Sequence, residues 1–412
     1  MSRIDELIAQ LCPEGVPFYP MWQLTTWDKR FNAVDRYKQP RIEKYRYLLA
    51  KELSPLIVEG GDVKILTTNE SDLWTNEELV DGPIHEAEII AIPWGGNAIV
   101  QHYSGRFVTS DNRIAVANDP AKLNLKFLYY FMTNNLGELA SFYRGSGIKH
   151  PSMAKVLDWL VPVPPLEIQR EIVRILDTFS KMEAELEAEL EARKQQYEYY
   201  RNSLLNSDGG ASMQKRPLGD VCAFQNGFAF KSSLFRPEGS PILRISNIQG
   251  DGINSKKLAY FDPNDYKEDL TKFKVTFGDI VIAMSGATTG KVGRYSGREI
   301  LYLNQRVGKF VPDEKQLLMK YLYYILTSRT TEIYELAGGG AQPNLSTVSI
   351  NRMNVQIPSV VEQKRIVDIL DKFDALVNDL SVGLPAELTA RRQQYEYYRD
   401  RLLTFKELEP AS

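Results

Sequence analysis

The chain has 412 residues, 43% hydrophobic and 25% charged, with 50 basic and 53 acidic side chains. That length exceeds what one core usually supports and the composition is ordinary for folded protein, so two or more domains are expected and wholesale disorder is excluded. Two cysteines, Cys12 and Cys222, and three histidines, His85, His102 and His150, give neither a disulfide framework nor a metal-ligand spacing.

Residues 1–11 are polar and amphipathic, without the apolar centre of a signal peptide, and no apolar run reaches the length of a membrane span. A soluble cytoplasmic protein is expected. Residues 25–51 then interleave eight basic and three acidic side chains with aromatics. Lys29, Arg30, Arg36, Lys38 and Arg41 in this stretch are candidates for neutralising phosphates. A solvated amphipathic helix would show the same composition. Short β-type runs at 88–92 and 98–103 flank Pro93-Trp94-Gly95-Gly96-Asn97, and an amphipathic stretch at 123–143 reads as helix packed on that sheet. Pro162, Pro164 and Pro165 mark a boundary before a long helix.

The long helix carries a coiled-coil seam: Ile168, Ile172, Ile175, Phe179, Met182, Leu186, Leu190, Arg193, Tyr197, Tyr200 and Leu204. Its steps alternate three and four except for consecutive fours at Leu186, a stutter made by the doubled Ala-Glu-Leu-Glu phrase at 184–191. Residues 167–205 hold 6 basic and 9 acidic side chains, whereas residues 213–357 hold 19 basic and 13 acidic. Salt screens charges beyond roughly 8–10 Å, so this local balance governs attraction to phosphate, and an acidic spacer beside a basic module is compatible with DNA binding.

The second half repeats the first. Gln195-Gln196-Tyr197-Glu198-Tyr199-Tyr200-Arg201 recurs as Gln393-Gln394-Tyr395-Glu396-Tyr397-Tyr398-Arg399. Gln169, Ile172 and Ile175-Leu176-Asp177 recur as Gln363, Ile366 and Ile369-Leu370-Asp371, and Lys126 to Tyr130 as Lys320 to Tyr324. Tyr103-Ser104-Gly105-Arg106 matches Tyr295-Ser296-Gly297-Arg298. Strand-like runs at 241–245 and 279–283, an amphipathic stretch at 317–336 and Pro358 keep the same order. The second seam runs Ile366, Ile369, Phe373, Leu376, Leu380, Leu384, Leu388, Arg391, Tyr395, Tyr398, Leu402 and is four residues longer, about 6 Å of helix. Gly383 and Pro385 lie in that excess, with Pro385 expected to open a new helical segment.

The expected fold is α+β: two domains of mixed sheet plus helices, at 1–161 and 213–357, separated by long helices at 162–206 and 358–406. Packed as an antiparallel coiled coil, these helices would give a pseudo-two-fold internal repeat, on a rod of about 50–60 Å if fully helical. Two surface helices buried against separate domains are the plainer alternative.

This organisation resembles the specificity subunits of type I restriction–modification enzymes along essentially the whole chain. The phrases that carry the resemblance are Pro217-Leu218-Gly219-Asp220-Val221, Gly227-Phe228-Ala229-Phe230-Lys231, Ser285-Gly286-Ala287-Thr288-Thr289-Gly290-Lys291, Leu303-Asn304-Gln305 and Gly338-Gly339-Gly340-Ala341-Gln342-Pro343-Asn344-Leu345, beside the duplicated helix. The first domain departs from them, with Trp94 to Asn97 and Gly145 to His150 in the corresponding places. The resemblance implies a non-catalytic reader of duplex DNA, one recognition domain per half-site of an asymmetric bipartite target, with the helices setting the spacer. It implies two methyltransferase subunits as partners, joined by restriction and translocase subunits, with S-adenosylmethionine, ATP and Mg on those partners and no cofactor or metal here. A two-headed scaffold binding protein partners is the competing function.

Further DNA-contact candidates in the first domain are Asn97, Arg106, Arg113, Lys149 and His150. Those in the second are Lys231, Arg244, Asn247, Thr288, Thr289, Lys291, Gln305, Arg306, Gln342 and Asn344, because glycine-flanked loops bring backbone close to phosphate and Arg, Asn and Gln can read base edges. No catalytic residue is proposed. Ser285 to Lys291 fails as a nucleotide-binding loop, since serine stands at its first glycine and Val292 follows the lysine.

Overall fold

Pro164 and Pro165 end an extended segment and open a single 41-residue helix, Leu166–Asn206, in the computed structural model, which describes residues 3–206, 214–249, 252–338, 343–379 and 381–409. The doubled Ala-Glu-Leu-Glu phrase is absorbed without a break. The second copy behaves differently: Val360–Val377 stops, and Leu384–Leu402 resumes. Gly383 takes φ +87° between them, where a Cβ would lie 2.5 Å from the Ala375 carbonyl oxygen. Pro385 falls in the first turn of the new segment, as expected. The second copy is therefore two helical segments and not one continuous helix, which corrects the expected extension of about 6 Å. The seam position Leu380 lies outside the described residues.

Two compact units result: Met1–Glu185 with Leu388–Ser412, and Leu186–Glu387. In the first, Ile168, Ile172 and Leu176 bury against Leu402 and Leu403. Further along, Phe179 stacks on Tyr398 at 5.6 Å and 26° and meets Tyr395 at 6.2 Å, while Arg392 donates to Glu183 at 2.6 Å. Contacts that climb one helix descend the other, so the pair is antiparallel. In the second unit Phe373 stacks on Tyr200 at 5.6 Å and 26° and meets Tyr197 at 6.4 Å. Each unit thus makes the same seam contact with the roles of the two repeats exchanged.

The first unit holds a six-stranded sheet in the order Thr25–Trp27, Asn112–Ala117, His85–Pro93, Gln101–Thr109, Val63–Leu66, Leu73–Thr75. Its pairs are antiparallel except Val63–Leu66 with Gln101–Thr109. The strand expected from residue 98 begins at Gln101, because the glycines before it form a loop. The helix expected over 123–143 divides into Leu125–Asn134 and Leu136–Ser141 at Asn135, whose side chain turns back to the Phe131 carbonyl at 2.8 Å.

The second unit repeats the first four strands as Cys222–Asn226, Val307–Pro312, Ile280–Ala283, Val292–Arg294. A separate four-stranded sheet follows the order Ala259–Phe261, Ser240–Leu243, Leu301–Leu303, Lys274–Val275. Its helices Met319–Ser328 and Thr330–Leu336 match the divided pair of the first unit.

The repeated polar residues fasten each sheet domain to its long helix. Gln169, fully buried, accepts from the Asn124 amide at 2.8 Å and donates to the carbonyls of Pro164 and Lys122 at 2.7 and 2.9 Å. Gln363 makes the same three bonds to the Leu318 amide and to the carbonyls of Pro358 and Gln316. Asp177 accepts from Tyr130 and Lys126 at 2.6 and 2.7 Å, and Asp371 from Tyr324 and Lys320 at 2.7 and 2.5 Å. A fully bonded buried amide costs little, whereas its loss orphans three backbone groups.

Candidate nucleic-acid interface

In the first unit Trp94 to Asn97 join two central strands as a loop, held from three sides. The Trp94 amide donates to the Asp111 carbonyl at 3.0 Å, the Gly96 amide donates to the Lys149 carbonyl at 2.9 Å, and His150 Nδ1 lies 2.6 Å from the Trp94 carbonyl oxygen. Gly96 adopts φ +109°, and a Cβ on Gly95 would press on Ile148 at 3.0 Å. The loop thereby gathers Asn97, Lys149 and His150, all exposed. Lys29 Nζ stands 4.9 Å from the Trp94 ring centroid, and Lys29 and Arg30 line a concavity of about 400 Å³ with Phe31, Trp94 and Met153. The cluster presents cations, an amide and an indole together, a combination suited to phosphates and base edges.

Beneath it Arg113 is 1% exposed. Its guanidinium donates to Asp28 at 2.8 Å and to Asp111, and lies 5.1 Å from the Trp94 ring centroid. Burial raises the Asp28 carboxyl above its ordinary value, opposed in part by Arg113 and by the Ile114 amide. Arg113 was expected to contact DNA; its donors are instead turned inward on two carboxylates, leaving no surface for a ligand.

The remaining first-domain candidates are dispersed. Arg36 is exposed on the 3₁₀ turn Arg36–Lys38. Lys38 is paired with Asp158 at 2.6 Å, and Arg41 lines a different concavity with Trp22 and Asn118. Arg106 is bonded to Asp62 at 2.8 Å and Glu77 at 2.5 Å. No amphipathic helix forms over 25–51: the only helical turns there are short, and Trp27 and Phe31 enter the core. Pro40 and the sheet pairing of Thr25–Trp27 favour extended backbone.

The second unit builds the corresponding place from glycines and hydroxyls. Ser285 bridges Asn344, and the Leu345 amide donates to the Met284 carbonyl at 2.7 Å. Thr289 donates to the carbonyls of Gly286 and Pro343 at 2.6 and 3.1 Å, and Thr288 to that of Ile245 at 3.2 Å. Gly286 and Gly290 take φ +83° and +82°. Met284 donates to the Arg306 carbonyl at 2.8 Å, the counterpart of Trp94 to Asp111. Gly227 approaches Asn304 so closely that a Cβ would sit 2.0 Å from its carbonyl oxygen.

This arrangement brings exposed Lys291, Gln305, Arg306 and Asn344 and half-buried Arg244 around one loop system, with exposed Lys231 on the glycine phrase beside Asn304. Two candidates are corrected. Asn247 is 3% exposed and caps its own turn, accepting from the Arg244 amide and donating to the carbonyls of Asn254 and Lys257. Thr289 is 5% exposed with its hydroxyl engaged internally. Gln342 lies outside the described residues. The contributor that sequence reasoning left out is Trp94, whose signal was an aromatic directly before paired glycines.

Among the described residues no group of three or more His, Cys, Asp or Glu side chains could hold a metal ion, and no helix is long and apolar enough to cross a membrane.

A family model for the type I restriction modification DNA specificity domain matches this chain twice, at residues 33–193 and 211–390. A putative type I restriction enzyme specificity subunit of Haemophilus influenzae is 33% identical over 345 residues, covering 80% of this chain and 86% of the relative. The specificity subunit of the Escherichia coli type I restriction enzyme EcoR124I/EcoR124II is 32% identical over 315 residues, covering 74% and 76%. The crystal structure of a type I restriction-modification S subunit from M. genitalium superposes with a TM-score of 0.60 at 17% identity, covering 94% of this chain and 96% of that one. That likeness shows a shared fold.

Proposed function

The chain belongs to the family of type I restriction–modification DNA-specificity subunits, and from that premise we propose that it reads an asymmetric, bipartite duplex target, one half-site per recognition domain. Members of this family are non-catalytic and work with DNA and other subunits in a multisubunit complex. The recognition domains are residues 1–161 and 213–357, and the helices at 162–206 and 358–406 set the spacer between half-sites. Two methyltransferase subunits dock on those helices, and restriction and translocase subunits join them; S-adenosylmethionine, ATP and Mg act on those partners.

One observation supports the asymmetry. The same four-strand scaffold carries Trp94, Asn97, Lys149 and His150 in one unit and Lys291, Gln305, Arg306 and Asn344 in the other. Different donor sets at equivalent places recognise different base edges.

The test is to map methylated positions in DNA from cells carrying the complex. An interrupted sequence with two unlike halves is expected; a single uninterrupted or palindromic site overturns the reading. Exchanging residues 213–357 for those of a related chain should change one half only. Removing residues 184–187 should shorten the spacer with both halves unchanged, and a retained spacer would remove the ruler from the proposal.

A further inference from the structure

The two units differ again at the far end of the short helix that follows each loop cluster. In the second unit Ser346, two residues after Asn344, caps the helix Thr347–Arg352. The helix ends at Arg352, on the rim of a concavity of about 750 Å³ lined by Lys215, Arg329, Glu332, Ser349, Arg352 and Asn354. Three cations face one carboxylate there. Arg329 Nη1 is held by the Asn354 carbonyl at 2.6 Å and lies 3.8 Å from Glu332. Lys215 and Arg352 are exposed, and neither has an ion-pair partner among the described residues.

The first unit supplies an internal control. Asn135 stands where Arg329 does, between the divided helices, with φ −105° and ψ 31° against φ −119° and ψ 28°. Asp158 stands where Arg352 does, ending the six-residue helix Met153–Asp158, and it is already paired with Lys38. The shared scaffold folds with asparagine and aspartate at these two places, so it does not itself require a cation at 329 or 352.

We propose that Lys215, Arg329 and Arg352 form a phosphate-binding site that grips the duplex backbone beside the second unit's loop cluster. This rests on the proposed DNA-reading function and adds an asymmetric anchor to it. A six-residue helix rises about 9 Å, so the concavity lies within a few nucleotide steps of Asn344. That closeness favours duplex backbone over an acidic protein surface as the occupant.

The test uses the full chain in its assembled complex and a duplex of about 40 base pairs carrying the mapped target, titrated between about 50 and 200 mM salt. Each phosphate contact contributes about 0.9 to the slope of log affinity against log salt, so replacing Lys215 and Arg352 by Gln should flatten the slope by about 2. The affinity gap to wild type should then narrow about tenfold across that range. Lys215→Gln alone should flatten it by about 1, which keeps the test informative if the double variant folds poorly. An unchanged slope in the single and double variants overturns the site while leaving DNA reading intact. Lost assembly with methyltransferase subunits at an unchanged slope also overturns it and identifies a protein-docking surface. A wild-type complex without salt-dependent duplex binding defeats the underlying function instead.

Discussion

The two loop clusters rest on opposite foundations. In the first unit the floor is charged: Arg113 buried between Asp28 and Asp111, with Trp94 laid over its guanidinium. In the second unit the strand register puts Gly308, Gln225 and Arg306 in the places of Arg113, Asp28 and Asp111. Phe224 fills the space that Gly308 leaves, since a Cβ there would lie 2.0 Å from its ring. One scaffold therefore tolerates either a buried ion cluster or an apolar plug beneath its loops. Above these unlike floors lie the unlike loop residues on which the proposed asymmetry rests.

The contrast can be broken most sharply at Arg113. Arg113→Ala leaves Asp28 buried without its counter-ion and should destabilise the first unit by about 3 kcal/mol, read as an earlier transition in chemical denaturation. Recognition of the first half-site should fall with it while the second is retained; equal loss at both halves would refute the separation. In the second unit Gly227→Ala drives a methyl into the Asn304 backbone and should cost about 2–3 kcal/mol, with second-half recognition lost selectively. The shared brace should behave oppositely, because it is the same in both units. Gln169→Ala and Gln363→Ala should each cost about 2 kcal/mol, and a clear inequality between them would show that the braces are not equivalent.

The smallest effect is a pH dependence. Burial raises the Asp28 carboxyl, so the folded first unit holds that proton more tightly than the unfolded chain. Its contribution to stability is present at low pH and is lost as pH rises from about 4, the ordinary aspartate value, through the raised one. Asp28→Asn should remove that component from the stability–pH profile, and an unaltered profile would place the titration elsewhere.

The repeat was legible because identity at fixed offsets needs no folding information: Gln169 with Gln363 and Asp177 with Asp371 were visible as pairs. Their bonds to Asn124 and Leu318, and to Tyr130 and Tyr324, were not visible, since each partner lies 45 or more residues away. The contact candidates fared unevenly for a related reason. Arg113 and Arg106 look alike as residues, yet one is sealed under an indole and the other is tied to two surface carboxylates.

By itself the chain's order of residues determined the duplication, the seam helices and the prolines that start them, all of which follow from local periodicity and backbone chemistry. Tertiary structure decided which basic side chains are spent inside. It also decided that Trp94 and His150, 56 residues apart, share one surface. Burial and ion pairing depend on neighbours brought from distant strands, and no short-range pattern encodes them.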